Sequence, residues 1–88
     1  MIIRIYTEDK HRDRIHAICQ ERLTGYTLIR CEGVWKGAKE QSVVIEVIAD
    51  PLNFPRKACQ KVARAIKDVN KQKSVLLTIA REDEQFYI

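Results

Sequence analysis

A two-layer α+β fold, with two helices on one face of a four-stranded antiparallel sheet, is predicted for this 88-residue chain by three observations. Four segments have the β-branched and aromatic character of strands. Two stretches of helical apolar spacing fall between the first and second of them and between the third and fourth. No Pro-, Gly- or Ser-rich stretch divides the chain, so all six elements share one core. A core of this size buries only about 60–65% of the surface of the unfolded chain, so self-association would add useful stability.

The elements follow in order. IIRIY (2–6) alternates apolar and polar after its first residue, as a half-buried strand does. Thr7 is expected to cap a helix with its hydroxyl, with Glu8 and Asp9 complementing the positive end of the helix dipole. Ile15, Ile18, Cys19 and Leu23 give that helix one apolar stripe, and Gly25 stops it. YTLIRCEGVW and SVVIEVIA read as two antiparallel strands joined by a loop, KGAKEQ. Asp50-Pro51 ends the third strand, and Asn53 is expected to cap the second helix with Pro55 in its first turn. Ala58, Cys59, Val62, Ala63, Ile66 and Val69 form its apolar stripe, and SVLLTIA (74–80) is the last strand. Phe86, Tyr87 and Ile88 end the chain without a polar extension, which predicts docking as a short strand or against a neighbouring subunit.

The order β-α-β-β-α-β is the split βαβ, or ferredoxin-like, arrangement. Its helices leave one sheet face bare. Strand alternation assigns Ile3, Ile5, Ile29, Cys31, Val43, Ile45, Val47, Val75, Leu77 and Ile79 to the helix side. It assigns Arg4, Tyr6, Leu28, Arg30, Glu32, Val44, Glu46, Ile48, Leu76 and Thr78 to the bare side. Leu28, Val44, Ile48 and Leu76 make that bare face too apolar for water, so it is expected to be an oligomer interface.

Charge and composition narrow the function classes. The net charge is +4, and residues 53–73 hold seven basic residues against Asp68 alone, whereas residues 8–23 are balanced. The longest apolar runs are far short of a membrane span, and MIIRIY is too short and polar for a signal peptide, so a cytoplasmic location is expected. Cys19, Cys31 and Cys59 are odd in number and lack C-x-x-C spacing, which predicts small buried hydrophobes and no zinc knuckle. His11 and His16, five apart, do not share a helical face as metal ligands would, and His16 with Cys19 is the weaker metal alternative. No nucleophile, phosphate-loop or dinucleotide signature is present, so neither catalysis nor a bound cofactor is expected.

GYTLIRCEGVWKG resembles the entry to the long loop of PII signalling proteins, and WKGAKEQSVVIEV is similar to the Trp-x-Gly hairpin of CutA proteins. The resemblance implies one PII/CutA-like domain over 1–88, assembled as a homotrimer with its sheets facing inward. The glycine-rich loop that PII proteins place before the last core strand is replaced here by NKQKS, and the hairpin is shorter than the PII loop. Ligand chemistry is therefore read from the residues. In such a trimer Arg30, Lys36, Lys39, Lys71, Lys73 and Arg81 would meet at subunit boundaries, where with the Gly37 amide they could hold a phosphate or carboxylate. Trp35 is expected to pack on its own core or a neighbouring subunit, or else to stack on a ligand base. The function these features suggest is non-catalytic: sensing or sequestering a small anionic metabolite or nucleotide at intersubunit clefts. The rival readings are an RNA- or DNA-binding module using the basic second helix, though the third strand lacks RNP aromatics, and a CutA-like metal-binding protein.

Overall fold

The computed structural model describes residues 1–81, and the expected docking of Phe86, Tyr87 and Ile88 lies outside them. Its elements are β1 (Ile2–Glu8), α1 (Arg12–Arg22), β2 (Thr27–Trp35), β3 (Ala38–Ile48), a 3-10 turn (Pro51–Asn53), α2 (Arg56–Asn70) and β4 (Leu76–Ala80). The sheet order is β2-β3-β1-β4 and every pairing is antiparallel, which is the ferredoxin-like α+β topology. No helix among the described residues is long and apolar enough to cross a membrane.

The core lies between helices and sheet. Ile15 and Cys19 of α1 and Cys59, Val62 and Ile66 of α2 pack on Ile3, Ile5, Val43, Ile45 and Val47, all buried. Both helical stripes thus point where their spacing directs them.

The helix starts differ from expectation. β1 runs on through Thr7 to Glu8, and α1 begins at Arg12 with His11 in the left-handed region at its N-cap. Thr7 is no cap; it is a buried strand residue, because its ladder partner Val43 draws it onto the helix side. α1 ends before Gly25, with Leu23 already extended and its N–H bonded to the Cys19 carbonyl. Asn53 is no cap either. Asp50 caps the 3-10 turn by accepting from the Leu52 N–H, and Pro55 stands at the start of α2.

The largest correction concerns β2. The connection to β3 is a two-residue turn, with Lys36 at φ 49° and Gly37 at φ 79°, and Ala38–Gln41 are strand where a loop was expected. Positive φ at both central residues is the hairpin geometry whose twist matches the strands, and Gly37 supplies the second at no steric cost. That turn pairs Trp35 with Ala38, Ile29 with Val44 and Leu28 with Ile45, so each pair of residue numbers sums to 73. Odd residues of β2 therefore share a face with even residues of β3. Ile29 and Cys31 belong to the open face, and Leu28 belongs to the helix side, where it packs against the core. Arg30 and Glu32 move with Leu28. Leu28 is thus removed from the expected interface, whereas Val44, Ile48 and Leu76 stay on the open face.

Candidate functional site

The open face carries an apolar row across all four strands, Leu76, Tyr6, Val44 and Ile29 in ladder order. Beside it Arg4 and Glu46 face each other across β1 and β3 and form an ion pair of 3.0 Å. At the end nearer the hairpin the face sinks into a cleft of about 480 Å³. Tyr6 and Val44 form its apolar wall, and Cys31, Gly33 and Ser42 line it further along β2 and β3. Gly33 keeps this part of the cleft low: a Cβ there would lie 3.2 Å from Ser42 Oγ. Glu8 and Glu40 share the open-face parity and line the cleft, whereas Glu32, of helix-side parity, borders it from β2. Glu8 is paired with Lys10 at 2.7 Å, whereas Glu40 has no ion-pair partner among the described residues. The cleft is therefore mostly apolar with the Glu40 carboxylate at its hairpin end, a pattern suited to a ligand with a flat apolar part and a positive centre.

One wall is held by a polar network that the sequence does not announce. Asn70, at the end of α2, is buried, and its Nδ2 donates to Gln72 Oε1 (2.7 Å), Thr7 Oγ1 (3.2 Å) and the Glu8 carbonyl (3.2 Å). The Thr7 hydroxyl also donates to Gln72 Oε1. Gln72 Nε2 reaches the Ser74 carbonyl at 3.3 Å. Thr7, more than sixty residues away in sequence, joins Asn70 and Gln72 to fix the turn between α2 and β4 against the cleft. The signal that could have found them is a polar residue, Asn70, falling on the apolar stripe of α2 one turn after Ile66.

The residues expected to bind an anion do not converge within one chain. Lys71, left-handed at the α2 C-terminus, and Lys73 flank Gln72 and lie near the cleft. Lys36 and Gly37 form the hairpin tip, and Lys36 Nζ sits 5.7 Å from the Trp35 ring centroid. Arg30 is exposed on the helix-side parity, opposite Val43. Arg81 follows the pair Ile2–Ala80 at the far end of the sheet. Trp35 is 74% exposed, so packing on its own core is ruled out for the single chain. It stands free to meet a second copy.

Of the cysteines, Cys19 and Cys59 are buried as expected, and Cys31 is a partly exposed member of the cleft wall. Burial, helped by the neighbouring Cys59, pushes the Cys19 thiol up to about 11, and burial likewise raises Cys59. His16 binds the Tyr26 hydroxyl through Nδ1 at 2.7 Å, and no metal-holding cluster occurs among the described residues. A second cleft, about 410 Å³, lies at the opposite end of the sheet between residues 24–27 and the segment from Glu46 to Pro55.

No protein-family model matches the chain, and no curated protein sequence matches it. Its fold is similar to that of a solved phage SAM lyase in the apo state, with a TM-score of 0.65 at 21% sequence identity over 86% of this chain and 75% of that one. This likeness is one of fold.

Proposed function

We propose that this protein is a small-molecule-binding protein whose copies associate through the open sheet face, as homotrimers on the PII/CutA-like reading, and hold a nucleoside-type metabolite in the cleft beside that face. The observation that carries the proposal is the cleft itself: an apolar wall of Tyr6 and Val44 with the unpaired carboxylate Glu40 on the same face. An aromatic base fits the wall, and a cationic centre fits the carboxylate. The proposal therefore changes the charge of the ligand from the anionic class expected of Arg30, Lys36, Lys71 and Lys73. S-adenosylmethionine, the compound in the name of the phage lyase, joins an adenine to a sulfonium and is the first ligand to try. No reaction is assigned.

Cys31 supplies the test. It lines the cleft and is partly exposed, whereas Cys19 and Cys59 are buried with raised pKa, so alkylation near neutral pH reads the cleft alone. S-adenosylmethionine should slow alkylation of Cys31, and Glu40→Gln should weaken the protection by about 10- to 100-fold, the loss of a charge-assisted contact. Protection by AMP and none by S-adenosylmethionine would return the ligand to the anionic class. Protection by neither nucleoside compound would sink the cleft reading.

A further inference from the structure

The outer face of α2 lies across the sheet from the cleft and has a composition that a merely solvated helix does not need. Cys59, Val62 and Ile66 turn inward, and Lys57, Lys61, Arg64 and Lys67 are exposed on the other side. None of these four has an ion-pair partner among the described residues, and Asp68 is the only acidic residue of the helix. Spacings of three and four residues bring each cation beside the next, so the row repels itself, each neighbouring pair costing roughly 0.2–0.5 kcal/mol. A solvated helix usually sets acids at those spacings and gains from them. Here the cations recur over the eleven residues from Lys57 to Lys67, with Asp68 only after them, about 15 Å of helix axis and the length of four to five nucleotide steps. Against the row sits a shallow hollow of about 170 Å³ lined by Ala63, Arg64, Lys67, Ser74 and Val75, where two cations and a hydroxyl converge on a space fit for one phosphate group.

We infer that the outer face of α2 binds the phosphate backbone of a nucleic acid, with one phosphate seated over Arg64, Lys67 and Ser74. An anionic membrane is the poorer fit. Binding to a lipid surface gains from apolar side chains inserted beside the cations, and the exposed residues of α2 are polar or charged throughout. Base reading is also absent from the face, which offers Gln60 and no aromatic ring, so the contact is indifferent to sequence. Neutralising the row relieves the repulsion along α2.

The experiment is fluorescence anisotropy of a labelled 20-base-pair DNA duplex with the full chain, titrated at several salt concentrations. Four neutralised phosphates give a slope of log K against log salt of about −3.6, and a fall of about 150-fold in affinity between 50 and 200 mM salt. The double variant Lys61→Gln, Arg64→Gln should keep its circular dichroism and halve that slope to about −1.8. Lys36→Gln, at the hairpin, and Glu40→Gln, in the cleft, should leave it unchanged, so this result stands apart from the ligand reading. No binding at 50 mM salt, a slope indifferent to the double variant, or binding to vesicles with one-third phosphatidylserine in place of DNA would each overturn the inference.

Discussion

Replacing Leu76 by Lys tests whether the open face is covered by a second copy, and the structure sets the size of the effect. Leu76 is 59% exposed in the single chain, Ile48 49% and Ile29 41%. Full burial of such a side chain gains about 1.5–3 kcal/mol, so covering the exposed part of Leu76 gains about 1–2 kcal/mol, and the three together about 2–4 kcal/mol per copy. Leu76→Lys removes that gain and places a charge where its desolvation opposes contact. In a symmetric assembly every copy carries the change, so each contact weakens by about 5- to 30-fold before the charge is counted. Sedimentation velocity from 1 to 100 µM should show wild type sedimenting above the 10.3 kDa chain mass and Leu76→Lys shifted toward it, with its folded circular dichroism retained. Leu28→Lys should behave oppositely. Leu28 packs on the core from the helix side, so the charge costs about 2–4 kcal/mol of folding stability. A folded, monomeric Leu28→Lys together with an oligomeric Leu76→Lys would refute the register of β2 and, with it, the placing of the interface.

Asn70→Leu should destabilise the fold by about 1–3 kcal/mol, because Thr7 Oγ1 and the Glu8 carbonyl lose the Asn70 donor, and urea titration reads the change. The same variant should loosen the Gln72 wall and speed alkylation of Cys31. Stability should depend on pH at the alkaline end. The Cys19 thiol is raised from 9.0 to about 11, so the folded state holds it neutral while the unfolded chain ionises first. That contribution is fully present below pH 9 and is lost as pH rises toward 11, by up to about 2–3 kcal/mol, and a Cys19→Ala, Cys59→Ala variant should flatten the decline.

The elements were readable because each carries one unambiguous period. α1 and α2 have apolar residues at helical spacing, and β1, β3 and β4 keep an apolar parity that matches the helices above them. β2 was misread for a physical reason. Leu28 and Ile29 are adjacent and both apolar, so alternation alone leaves either face open, and the turn decides. Lys36-Gly37 held that information, since a glycine at the second position of a two-residue turn fixes the pairing and with it the face of every side chain in the strand. The cleft was less readable. Its lining comes from β1, β2, β3 and the turn after α2, and only the ladder brings Cys31 and Ser42 together. Basic residues suggest an anion site because they are numerous, yet number says nothing of convergence: Arg30 stands on β2 and Arg81 just beyond β4, at the other end of the sheet.

The corrected register also joins two properties that the sequence left separate. With Ile29 on the open face, the row Leu76–Tyr6–Val44–Ile29 is continuous, and Tyr6 and Val44 belong both to that row and to the wall of the cleft. A copy seated on the row therefore closes over the cleft. On the proposed reading, a ligand in the cleft touches surface that association would bury, so binding and assembly would share a free energy, and each would alter the other by the same factor. A ligand that fits beneath the seated copy tightens association, and one too large for the closed cleft loosens it. Leu76 stands on the row and outside the cleft lining, so Leu76→Lys should change ligand affinity only through assembly. Its effect on ligand binding should vanish at dilutions where wild type is already monomeric; a loss of affinity that persists there would mean that ligand and neighbour do not meet at this face.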